Sequence, residues 1–194
     1  MHDGSAQPTE VTPVSLWRQL AWWVLVLPAV MAYAMVVHSV YWLDFSHVMA
    51  GTLWTGTDIF MGFFLGPILR RLTPPQRKAV IQWLVPRTIL YLPVLAATTG
   101  TAGWTLAGWL HLFTPGNPLR SWVLAALVVI TILSLQGFGI LLPTSIRTYL
   151  ELQKLSPDLD RVYRLNRRNN SLAGFQGILQ VLIILIMAHL ATGG

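Results

Sequence analysis

Asp58 is an acidic residue deep inside an apolar run. An ionisable group at membrane depth costs about 3 kcal/mol or more unless it faces protein or water. Its neighbours on one helical face would be His47, Gly51, Trp54, Gly62 and Leu65, because those positions follow helical spacing. A carboxyl so placed can relay protons or hold an ion; the alternative is a hydrogen-bonded tie between helices, for example to Gln136 or Gln180. Gly51, Gly56 and Gly62 would let another helix or a flat cofactor come close. The histidines offer different chemistry. Imidazole is the commonest protein ligand for haem, copper and zinc, and two facing rings hold a b-type haem. His38, His47, His111 and His189 all fall near ends of apolar runs, with Met35, Met49 and Met187 at similar depth for a copper site. His47 is the leading candidate ligand, His111 or His189 its partner, and Trp54 either stacks on a bound ring or packs in the core.

The elements that would position these groups are transmembrane helices. Of the 194 residues, 54% are apolar and 10% charged, against roughly a quarter charged in a soluble domain. A spanning helix needs about 20 mainly apolar residues. Five stretches qualify, at 16–38, 46–69, 85–112, 119–149 and 172–191, the fourth continuing toward Glu151 as a polar helix. The expected fold is all-α: a single five-helix membrane bundle over 16–194, after a polar tail at 1–15. Ala32-Tyr33-Ala34 resembles a signal-peptidase site, but the apolar run is long and the tail before it acidic, so the first stretch reads as a retained helix. Of the 13 Lys and Arg residues, only Arg120 falls on the histidine side. Positive charge stays cytoplasmic, which predicts an inner-membrane protein of a bacterium with its N-terminus inside and its C-terminus in the periplasm. The histidines would then share the outer face. Most of the tryptophans mark span ends, as in an aromatic belt, and the Asn166–Asn170 segment reads as a helix cap in contact with lipid.

The order His47-x6-Trp54-x-Gly56, the apolar run to Pro67, and the following Arg70-Arg71 resemble the copper-resistance protein D-like membrane domain and the membrane-type protoporphyrinogen oxidase. The resemblance covers the second span, and loosely the three after it. In the oxidase family the histidine opening this span is linked to haem and tetrapyrrole chemistry, and His47 matches it. That family's intramembrane lysine has no counterpart, since Lys78 and Lys154 lie in loops, and span four carries Gln136 but no histidine. The resemblance therefore implies a haem-binding relative rather than the oxidase activity. Through the copper-resistance family it implies copper movement or sensing.

Three functions follow as expectations. The first is a b-type haem or metal-binding oxidoreductase passing electrons near the outer face, with quinone as a natural partner and Asp58 handling a proton. The second is a copper, proton or small-solute transporter with Asp58 as its relay. The third is an accessory subunit whose glycine faces bind other helices, in a homo-oligomer or larger complex. The chain has no cysteine, which removes disulfides and thiolate chemistry. It shows no phosphate loop or nucleophile–base motif. Its basic residues follow the membrane loops, a lipid rather than a nucleic-acid pattern.

Overall fold

In a computed structural model describing residues 16–193, the chain is helical, with no strand among the described residues. The tail expected at 1–15 lies outside the described residues. Five helices follow in order: α1 (Trp22–Val36), α2 (Val40–Arg71), α3 (Pro74–Trp109), α4 (Arg120–Leu152) and α5 (Leu159–Thr192). The last four are long and apolar enough to cross a membrane. The first is not: its 15 residues rise roughly 22 Å against a hydrocarbon core of about 30 Å. Helix breaks after the short turn Leu16–Gln19, and α1 opens as a 3₁₀ turn, Trp22–Leu25. Pro28 has no N–H for the carbonyl of Val24, which lies in that 3₁₀ turn. Trp17 and Trp22 stack across the break, ring centroids 5.3 Å apart.

The other helices carry sequence-encoded ends. Ser39 caps α2 through the amide of Trp42. Thr73 and Gln76 form a capping box at α3, with Pro74 at its first position. Asp158 caps α5 through the amide of Arg161, and Gly193 closes it in a left-handed conformation, φ 79°. The helix α2 contains a π-helical turn, Phe60–Leu65, and α4 contains another, Gly137–Leu141. A proline follows each, Pro67 and Pro143, at the start of the resumed α-helix. A wider turn gives a ring without an N–H room beside the preceding carbonyls.

Neighbouring helices run antiparallel. Along α2 and α3, His47 meets Thr99 and Thr57 meets Tyr91. Along α2 and α5, Asp58 meets Gln176 and Gly62 meets Gly174. Along α4 and α5, His189 lies against Trp122 and Asn169 bonds to Ser145. The burial pattern is inverted relative to a soluble protein. Phe60, Phe63, Phe64, Val128, Leu135 and Leu185 are exposed, while Asp58, Asn166, Asn170, Gln176 and Gln180 are buried. That distribution fits a multi-pass bundle in contact with lipid.

The helices α3 and α5 extend well beyond the apolar stretches expected at 85–112 and 172–191. Their extra turns pack at the basic end, where Leu69, Ile81, Val85 and Val162 form a buried cluster. Arg77 lies over the Tyr163 ring and donates to the carbonyls of Leu69 and Leu72, satisfying the end of α2. At about 1.5 Å per residue, the 33-residue α4 is roughly 50 Å long, so its last turn projects past the apolar stretch. There Lys154 donates to Glu151 at 2.8 Å, Arg161 lies 3.4 Å from the same oxygen, and the amide of Asp158 donates to the other. The Lys154 hydrogen bond, helped by Asp158 and Arg161, holds the Glu151 carboxyl below its ordinary value of 4.5.

Candidate functional site

The inward face of α2 is the one its spacing implied. Asp58 is fully buried and Trp54 nearly so, while His47, Gly51, Gly62 and Leu65 are half-buried along the same stripe. Asp58 lies near the middle of α2, roughly 27 Å along the axis from Val40 and 20 Å from Arg71. Its Oδ2 accepts a hydrogen bond from Gln176 Nε2 at 2.8 Å. Trp54 and Gln180 approach the same carboxyl, but neither amide atom of Gln180 completes a hydrogen bond. Asp58 Oδ1 and Gln176 Oε1 are likewise unpaired. No cation balances the carboxyl: the ion pairs among the described residues both belong to Glu151. Gln136, one of the two expected ties, instead donates to the carbonyl of Leu172 at 2.8 Å.

The helices meet here because of glycine. A Cβ on Gly62 would overlap the Gly174 backbone, and one on Gly177 would come within 2.8 Å of Ile59. The three glycines singled out on α2 differ in role. Gly51 makes ordinary contact with Thr99, and Gly56 is exposed with nothing within 4 Å of a built Cβ.

A cavity of about 40 Å³ lies between the two π-helical turns, which contribute Met61 on one side and Gly137 on the other. Its polar lining includes Thr88, Ser145, Asn169, Asn170 and Gln176. A second cavity of about 30 Å³ lies nearer the basic end, bounded by Gly62, Gly66, Arg70, Asn166, Arg167 and Asn170. Asn170 borders both. Asn166 and Asn170 are buried inside α5, not at its cap, because α5 starts at Leu159. Their spacing with Gln180, through Ala173 and Gly177, follows one helical face. That was the signal in the sequence that places them with Asp58 rather than with lipid.

The histidines share one end of the bundle but differ in setting. Among the described residues, no group of three or more His, Asp or Glu side chains could hold a metal. His38 and His111 have φ of 52° and 53°. Each closes a helix in the left-handed turn usually given to glycine: Ser39 N donates to Ala34 O after α1, and Leu112 N to Ala107 O after α3. His38 also stacks on Trp109 at 5.3 Å, and His189 lies 4.1 Å from Trp122. Of the methionines considered for copper, Met35 packs against the cluster of Ala34, Leu43, Ala102 and Leu106.

His47 is set differently. Its Nδ1 lies 2.8 Å from the carbonyl of Thr99, so Nδ1 carries the proton and Nε2 is the remaining basic atom. Gly103 makes room for the ring, since a Cβ there would come 2.7 Å from Cε1. A carbonyl that fixes the tautomer and orientation is the arrangement found behind many ligating imidazoles.

Comparison with protein-family models, with curated proteins and with solved structures gives no match.

Proposed function

We propose that this chain is a membrane protein that moves protons through its core on Asp58, alone or coupled to a small solute. The carrying observation is the setting of that carboxyl. It is fully buried near mid-helix and bonded to a neutral amide, with one oxygen unpaired and no cation paired to it among the described residues. A purely structural tie would be expected to satisfy both oxygens, since a half-satisfied buried network destabilises the fold. An acid that gains and loses a proton needs neighbours able to bond either form, and amides do so because they both donate and accept.

In this reading α1, together with the turn before it, completes a fifth crossing. The Arg-rich loops face the cytoplasm of a bacterial cell and the C-terminus faces the periplasm. The test is proton flux in proteoliposomes containing a trapped pH-sensitive dye. Flux above protein-free vesicles that disappears in a well-folded Asp58→Asn variant supports the proposal; unchanged flux in that variant rejects it.

A second reading rests on His47, whose fixed ring would present Nε2 to a b-type haem or a copper ion near the histidine end. His111 or His189 would supply the partner ligand, with electron transfer to or from quinone. This reading requires a Soret band in the purified protein, or stoichiometric copper, lost in His47→Ala. A colourless, metal-free protein rejects it. Accessory-subunit or homo-oligomer roles would instead show as copurifying chains or a larger particle in detergent.

A further inference from the structure

We propose that water enters the bundle from the basic end between α2 and α5 and reaches Asp58 past Asn170 and Gln176, while the histidine end is sealed. The proposal rests on the reading of Asp58 as a proton carrier, and adds the route and side from which the proton arrives.

Two independent features mark the same route. The first is space. Asn170 lines both cavities, of about 30 and 40 Å³, and each exceeds the roughly 10–15 Å³ that one water requires. The outer cavity is bounded by the exposed Arg70 and Arg167, so it lies at the solvated rim; the inner one ends on Gln176, the residue bonded to Asp58. The second is hydrogen-bonding capacity. Asn169 Oδ1, Asn170 Oδ1, Gln176 Oε1 and Asp58 Oδ1 are buried and have no hydrogen-bond partner among the described residues. Buried polar atoms are normally satisfied by protein or ordered water; the three amide oxygens belong to residues that line the cavities, and Asp58 lies next inward, bonded to Gln176. Waters bridging them would form a hydrogen-bonded chain along which a proton can pass.

Beyond Asp58, toward the histidine end, the pattern changes. Gln180 is the last buried side chain with unpaired polar atoms among the described residues. Further along, the buried hydroxyls of Ser46 and Thr98 are spent on the carbonyls of Trp42 and Val94. Ala50, Leu95, Leu133 and Trp54 close the core there, and Leu43, Ala102 and Leu106 close it again nearer the end. Access is therefore one-sided.

The absence of cysteine makes the test direct, because each introduced thiol is the only one. Ser145→Cys, Asn169→Cys and Ala173→Cys place a thiol on the inner cavity, and Ala50→Cys places one in the sealed half. Arg168→Cys and Thr114→Cys, both exposed, mark the two sides in sealed proteoliposomes. The probe is Ag⁺, small enough for a water-sized path, added to one side in chloride-free buffer. The readout is loss of subsequent maleimide labelling in denaturant. The expected result is loss at Ser145→Cys and Asn169→Cys when Ag⁺ is on the side that reaches Arg168→Cys, and no loss at Ala50→Cys from either side. Ser145→Cys exchanges only oxygen for sulfur, so it keeps the fold if Asn169→Cys or Ala173→Cys does not. Protection of all the cavity thiols from both sides overturns the proposal, as does reaction from the Thr114→Cys side. If the thiols react as expected yet Asp58→Asn leaves proton flux unchanged, the route stands and the carrier reading falls. If Asp58→Asn abolishes flux but the thiols react from the wrong side, the route falls alone.

Discussion

Adding one methyl group at Gly62 should break the contact that holds Asp58 to Gln176. A Cβ there would overlap Gly174 Cα, lie 2.6 Å from Gly174 N and come 3.2 Å from the carbonyl oxygen of Asn170. All three are backbone atoms of α5, so no side chain can swing aside. To restore ordinary van der Waals contact, α2 and α5 must separate by roughly 1 Å. Asp58 is one turn from Gly62 and Gln176 about half a turn from Gly174, so their 2.8 Å hydrogen bond would stretch to about 3.8 Å, past the limit for a bond. Overpacking costs about 1–3 kcal/mol and the lost interhelical bond about 0.6–1 kcal/mol, a total of about 2–4 kcal/mol. Gly56→Ala is the matched control: with open space around it, the change should stabilise α2 by about 0.5–1 kcal/mol. Unfolding in mixed micelles by added sodium dodecyl sulfate, followed through tryptophan fluorescence, measures both. Gly62→Ala within about 0.5 kcal/mol of the parent, the range of an ordinary surface change, would refute the packing argument.

Other expectations follow from the same geometry. If His111 serves as a left-handed cap, His111→Gly should leave stability unchanged or raise it by up to about 1 kcal/mol, while His111→Val should lower it by about 1–2 kcal/mol; a loss with glycine would contradict the capping role. Asp58→Asn should preserve the helix content and the elution profile of the parent, because an amide can still bond to Gln176; aggregation of this variant would make the carboxyl structurally essential. Glu151 has a folded-state pKa below its unfolded one, so its pairing with Lys154 stabilises at neutral pH and is lost as pH falls below 4.5. Glu151→Gln should therefore be less stable than the parent at pH 7, with the difference closing in acid; a gap independent of pH would refute the linkage.

The long apolar helices were legible because lipid imposes a length and composition that sequence displays directly. The break after Gln19 was not, since hydropathy counts apolar residues and is blind to where the backbone leaves the helix. The π-helical turns escaped for a related reason. Pro67 and Pro143 announced a local accommodation, but not that it would be a widened turn beside a cavity. The stripe through Trp54 and Asp58 was readable from spacing alone, because both lie on one uninterrupted helix. Its partner stripe on α5 was read only in part, through Gln180, because Asn166 and Asn170 were treated as a cap when the helix began two turns earlier at Leu159. The histidines show the opposite limit. Sequence placed all four near one end, yet whether a histidine closes a turn or presents a ligand depends on backbone dihedrals and on a carbonyl 52 residues away.

The most direct test is infrared difference spectroscopy of the reconstituted protein while pH is stepped on one side of the membrane. A carboxyl C=O band that is absent in Asp58→Asn and changes intensity when the basic-end side is stepped, but not when the opposite side is, would be the signature of a buried acid exchanging protons along the polar seam. A band that ignores pH on both sides, or survives in Asp58→Asn, would contradict Asp58 as the proton carrier.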